Sequence, residues 1–238
     1  MKYTEFLPEP FLRADVQCLW LGGETGNRLV IPDGCLDIIF QVRDGSIVSS
    51  LLVGAMTRHF WVPQQNTDYV GIRFHPGCAR RFFEFPIASI TDKILPLESV
   101  WGRGVKEVEQ RLMELPTWQD RMKLAQHWLW ERKLGTIPSF SYFAWAWNQS
   151  PQLSVETIAA SVGVTRQHLR RIFLEHSGLT PKQFIQISRV HQAARIGPAR
   201  LNTLELGFYD QSHLIHQFKK YTGLTPREYF QVTQRNYL

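Results

Sequence analysis

Gly207-Phe208-Tyr209-Asp210-Gln211-Ser212-His213-Leu214, followed closely by Phe218-Lys219, is the stretch on which the reading of this 238-residue chain turns. A glycine, a short polar turn and then apolar residues four apart, Leu214 and Phe218, describe a tight turn opening a short amphipathic helix. The arrangement occurs twice. Leu169, Phe173, Gly178, Pro181 and Phe184 return as Leu214, Phe218, Gly223, Pro226 and Tyr229, each pair 45 residues apart. Gly178-Leu179-Thr180-Pro181 is repeated letter for letter as Gly223-Leu224-Thr225-Pro226. A single offset shared by all five matches makes the last third of the chain one supersecondary unit present twice. A solenoid needs about three or more copies to bury its faces, so a pair of small helical modules is expected.

Upstream of the first repeat, Ser154 reads as an N-cap, and Val155, Ile158, Ala159 and Val162 follow the i, i+3, i+4, i+7 pattern of one helix face. Gly163 then supplies a turn, and Thr165 caps a second helix whose inner face carries Leu169, Ile172, Phe173 and His176. Small Ala159 lets the two helices cross closely. This is a helix-turn-helix by pattern alone. Thr180-Pro181 opens a linking helix with an N-cap and a proline at its first position, and Gly197-Pro198 ends it. Pro198–Leu206 is expected to support the second unit, with Asp210–Lys220 as its recognition helix.

Charge is distributed unevenly. Residues 1–150 hold 16 Lys and Arg against 16 Asp and Glu, whereas residues 151–238 hold 11 against 5, together with five of the eight histidines. The whole formal excess of +6 therefore lies on the repeated module. A basic module beside a neutral one is the footprint of a polyanion-binding domain attached to something else.

The segment from about Leu153 to Phe230 resembles the DNA-binding domain of AraC/XylS-type transcription regulators, in which a helix joins two helix-turn-helix units. The residues that carry the resemblance are Gly207, Phe208, Asp210, Ser212, Leu214, Phe218, Lys219, Gly223 and Pro226. Phe140–Trp147 occupies the place of that domain's first helix. With Leu169, Ile172 and Phe173 turned inward, helical spacing turns Arg166, Gln167, Arg170 and Arg171 outward. Arginine pairs with guanine O6 and N7, and glutamine with adenine N6 and N7. The resemblance puts the base-reading positions on Gln167, Arg170 and Arg171. In the second unit the outward positions are Gln211, Ser212, Ile215 and His216, with Ile215 suited to a thymine methyl. Lys219 and Lys220 suit phosphates, and Asp210 suits a cap, because its charge would repel phosphate. The linking helix is shorter than in the family: Ala193 to Gly207 is about five residues less, or roughly 7.5 Å of helical rise.

The first hundred residues read as strands. Val16–Leu21, Arg28–Ile31, Leu36–Val42, Ile47–Val53 and Tyr69–Phe74 are rich in β-branched, leucine and aromatic residues. Gly22-Gly23, Pro32-Asp33-Gly34 and Asp44-Gly45 punctuate them, the last as a hairpin turn. Helices follow, one opened by Pro76-Gly77 and running through Phe83, another capped by Thr117 with Met122, Ala125, Trp128 and Leu129 on one face. Strands of this spacing suggest a small barrel or sandwich. The order of strands then helices resembles the cupin-like effector and dimerisation domain of AraC-type regulators, through Pro32-Asp33-Gly34 and the segment Gly71-Ile72-Arg73-Phe74-His75-Pro76-Gly77.

The expected class is thus α+β: a small β-barrel with trailing helices over 1–135, then an all-α domain over 138–238, the boundary marked by Gly135–Pro138. Trp20, Phe40, Trp61 and Phe74 lie on or beside candidate strands, where they either line a ligand pocket or form core. His59 and His75 stand apart with no HxH pair, so no metal and no cofactor is expected. Cys18, Cys35 and Cys78 are odd in number and without a CxxC, although Cys35 and Cys78 could approach each other; a reducing cytoplasm suits them better than a disulfide framework. There is no 18-residue apolar run and no nucleotide or nucleophile motif. The partners expected are double-stranded DNA, with a small-molecule effector or a second copy of the chain at the N-terminal domain, and no membrane. A ligand-binding or metal-enzyme barrel fused to a helical module with vestigial DNA contact is the competing reading.

Overall fold

The computed structural model describes residues 3–23, 27–62, 66–135, 153–197 and 203–235. The first part is a β-domain built on an antiparallel sheet of six strands in the order β1-β2-β7-β4-β5-β8, with a separate ribbon of β3 (Arg28–Val30) and β6. The central strands are β2 (Val16–Gly22), β4 (Asp37–Arg43), β5 (Ser46–Val53) and β7 (Asp68–Phe74), where the apolar runs are expected. Asp44 and Gly45 both take positive φ, as a tight hairpin between β4 and β5 requires. Three short strands, β1 (Thr4–Phe6), β6 (Phe60–Val62) and β8 (Ile94–Pro96), go beyond the sequence reading. Three residues show no usable periodicity, and Pro96 is tolerated because β8 lies at the sheet edge. Among the described residues no ladder joins β1 to β8.

Strand alternation gives the sheet two unlike faces. Leu19, Leu21, Ile38, Phe40, Val70, Ile72 and Phe74 point into an apolar core. It is covered by helices α2 (Gly104–Glu114) and α3 (Trp118–Trp130), which follow the single turn α1 (Glu98–Trp101). Thr117 caps α3 by accepting from the Asp120 amide, and Met122, Ala125, Trp128 and Leu129 are all buried. The helix expected through Phe83 is instead a short 3-10 turn, Cys78–Arg81. Its continuation is stopped because Phe82 and Phe83 go into the core while Arg81 pairs with buried Asp15. Asp15 also holds Lys133 at 2.7 Å, tying the end of the α3 segment to the sheet. The opposite face is polar. Buried Asp37 accepts from Trp20 Nε1 at 2.9 Å and from Arg73 at 3.2 Å, and Arg73 also reaches Asp33 at 3.6 Å. Burial pushes the Asp37 carboxyl up, with Arg73 pulling it back down.

The C-terminal helices are α4 (Val155–Ser161), α5 (Arg166–Ser177), α6 (Pro181–Ile196), α7 (Gln211–Thr222) and α8 (Pro226–Arg235). Their shared core includes Leu169, Phe173, Phe184, Leu214 and Phe218, so three of the five repeated positions meet inside it. Ser154, Thr165, Thr180 and Asp210 cap α4, α5, α6 and α7 through their side-chain oxygens, and Thr180 completes a capping box with Gln183. Gly163 makes the expected turn with positive φ, and Gly178 and Gly223, matched positions of the repeat, also take the left-handed conformation. The aromatic segment Phe140–Trp147 and most of the Pro198–Leu206 support lie outside the described residues; its last residues, from Thr203, form turns.

Candidate nucleic-acid interface

Helix α5 begins at a hydroxyl cap: Thr165 Oγ1 accepts from the His168 amide at 3.2 Å. From there Leu169, Ile172 and Phe173 are buried, which fixes the rotation of the helix. Arg166, Gln167, Arg170 and Arg171 are consequently all exposed along one side. Arg166 is engaged by Glu156 of α4 at 3.3 Å, and Arg171 lies 3.4 Å from His168 Nδ1. A surface pair such as Arg166 with Glu156 is weak and screened by salt, so an incoming phosphate can compete for the guanidinium. Gln167, Arg170 and Arg171 line one wall of an open cleft of about 630 Å³, whose other wall includes Pro86 and Ala88 of the β-domain. The structure therefore gathers the polar set of the first unit on one helix face, as helical spacing requires.

Helix α7 repeats this plan with different chemistry. Asp210 Oδ1 accepts from the His213 amide at 2.7 Å, and the Tyr209 amide donates to His213 Nδ1 at 3.2 Å. Asp210 is thus consumed in the cap. Leu214 and Phe218 are buried, while Gln211, Ser212, Ile215 and His216 are exposed. Lys219 and Lys220 are exposed in the last turn, far from the helix start, and Lys220 lies over the Tyr221 ring. Tyr209 was not singled out by the sequence pattern and is 86% exposed at the start of this face. Its position between buried Phe208 and the capping Asp210 was the available signal.

The four aromatics considered for a ligand pocket are not brought together. Phe40 and Phe74 belong to the apolar core, Trp20 lies on the opposite face against Gly71, and Trp61 is exposed on the β3–β6 ribbon. The cause is the period of two along each strand, which a list of aromatics does not respect. The three thiols are buried and free. Burial pushes the Cys18 thiol up to about 12 and raises Cys35 and Cys78 as well, so all three are held protonated. Among the described residues no group of three metal-ligating side chains occurs, and no helix is long and apolar enough to cross a membrane.

Residues 158–231 match the family model of a helix-turn-helix domain, spanning α4 to α8. The C-terminal domain is of AraC type. Ahead of the AraC-type domain, residues 4–96 match the model of a domain of unknown function, DUF6597. No curated protein matches the chain. Among solved structures, the C-terminal domain of AraT, a response regulator from Geobacillus stearothermophilus, is similar at 21% identity and TM-score 0.36, over 40% of this chain and 86% of that one. ToxT from Vibrio cholerae is similar at 10% identity and TM-score 0.48, over 97% of this chain and 98% of that one. Likenesses this distant carry no functional conclusion.

Proposed function

We propose that the protein is a sequence-specific regulator of transcription that binds double-stranded DNA through the AraC-type domain. The observation that carries this is the capped helix α5, whose exposed side presents Arg166, Gln167, Arg170 and Arg171 from a module holding the entire charge excess. A helix of this kind inserts its N-terminal turns into the major groove while its inner face stays packed on the scaffold. Gln167, Arg170 and Arg171 read base edges there, and Arg166 contacts phosphate as readily as base. Helix α7 enters the next groove with a poorer set, Ser212, Ile215 and His216, and supplies mainly phosphate contacts through Lys219 and Lys220. The β-domain acts as the sensing or self-association half, and the protein is not an enzyme. Selection of bound sequences from a random duplex pool at near-physiological salt tests this reading. A recurrent site with a steep loss of affinity on added salt is expected, because neutralised phosphates release counterions. Recovery of no sequence above background would sink it.

A further inference from the structure

The two Gly-Leu-Thr-Pro repeats are both docked on the β-domain, and by one device. Two loops of that domain, 54–59 and 86–93, are zipped together. The Gly54 amide donates to Lys93 O at 3.0 Å, the Asp92 amide to Ala55 O at 3.1 Å, and Thr57 donates twice to the Asp92 carboxylate, each at 2.6 Å. Ala55, at the root of this fork, is 1% exposed and belongs to the core of the helical domain. One prong meets the first repeat: Thr91 Oγ1 donates to Gly178 O at 2.8 Å, and a Cβ on Gly178 would run into Thr91 Oγ1 and lie 3.1 Å from Ile87 O. The other prong meets the second repeat: a Cβ on Gly223 would run into the His59 ring at Nε2. Gly178 and Gly223 are the corresponding positions of the two copies, each closing its recognition helix in the left-handed conformation.

We infer that the fork of His59 and Thr91 is a positioning element that fixes the second recognition helix relative to the first, so that both meet DNA in one register. This rests on the DNA-binding reading above. Three facts point to positioning. The fork touches both units at equivalent backbone sites, which a contact serving only to anchor the β-domain would not need. Its contacts Thr91 and His59 grip the C-terminal ends of α5 and α7, each 12 residues long, about 18 Å along the axis from the first residue of each helix, while Pro86 and Ala88 of the same loop region face Gln167, Arg170 and Arg171 across the open cleft. The remaining connection between the units, α6, is a helix of 16 residues with a glycine at its end. The two units also share a core along that helix, through Phe184, Val190, Leu214 and Phe218, and the fork adds a second tie at the far ends of α5 and α7.

The test is hydroxyl-radical footprinting of the full-length protein on its selected duplex, comparing wild type with His59→Ala/Thr91→Val. A second duplex is truncated to the box read by α5. Wild type should protect a second groove at one fixed offset from that box. The double variant should lose or spread this second protection and bind the full duplex at least about tenfold more weakly, with little change on the truncated duplex. A purely structural contact would lower the melting temperature of the variant but leave the offset where it was. If the double variant does not fold, the single change His59→Gln is expected to blur the same offset. An unchanged offset in folded variants overturns the fork and leaves DNA reading intact, as does wild-type protection of only one groove. Wild-type protection of no duplex overturns both.

Discussion

At the residue scale, the side chains proposed to read DNA differ from those that hold the fold by which way one helix turns. Arg170 is exposed next to wholly buried Leu169. Arg170→Ala should weaken binding to the best site by about 1–3 kcal/mol and relax preference at one or two base pairs, with little change in thermal stability. Quantitative binding to the selected site and its single-base variants checks this; an unaltered preference would show that α5 does not read bases. Glycines offer a sharper contrast. Gly163 and Gly178 both take positive φ, yet a Cβ meets nothing within 4 Å at Gly163 and meets Thr91 at Gly178. Gly163→Ala should then cost only the backbone strain, on the order of 1 kcal/mol, whereas Gly178→Ala adds a steric clash and should cost clearly more. Equal melting temperatures for the two variants would contradict the close packing at Gly178.

At the scale of elements, the helical repeat was fully legible. Caps, turn glycines and the i, i+3, i+4 faces are local signals, and each of Ser154, Thr165, Thr180 and Asp210 does the capping that its position foretold. Phe173 and Phe218 are both wholly buried, each with an edge-on aromatic partner from the helix that follows, Phe184 and Tyr229. Truncating either to alanine should destabilise the domain by roughly 3–5 kcal/mol through an unfilled core site, as read from chemical denaturation. Similar losses are expected because the environments are copies; a negligible loss for either would refute the repeat as a core device. What sequence could not show was anything joined across long separations. Strands of three residues, the zipping of loop 54–59 to loop 86–93, and the meeting of His59 with Gly223 depend on the tertiary fold, and nothing in the neighbouring residues announces them. The pocket aromatics failed to converge for the same reason, since facing direction on a sheet is set by register, which the pattern only partly fixes.

For the whole molecule, burial of imidazoles links folding to pH. Burial lowers the pKa of His75, His176 and His191 from an ordinary value of 6.5, with Arg80 adding to the effect at His176. The neutral ring is thus the form that the folded state prefers, and the stability it contributes is complete above pH 6.5 and is lost as pH falls from there through the lowered values. Melting temperature should decline on acidification below about pH 6.5, and His191→Gln should flatten part of that decline. A profile that is level from pH 8 to 5 in the wild type would show these rings to be accessible rather than buried. The doubly docked fork has one more consequence, for how strongly two modest readers act together. Once α5 has found its groove, a held α7 searches no volume; it faces its own groove at a high effective concentration, and the second contact becomes an intramolecular closure. A weak reader in the second position can then raise total affinity by orders of magnitude while adding little discrimination of its own.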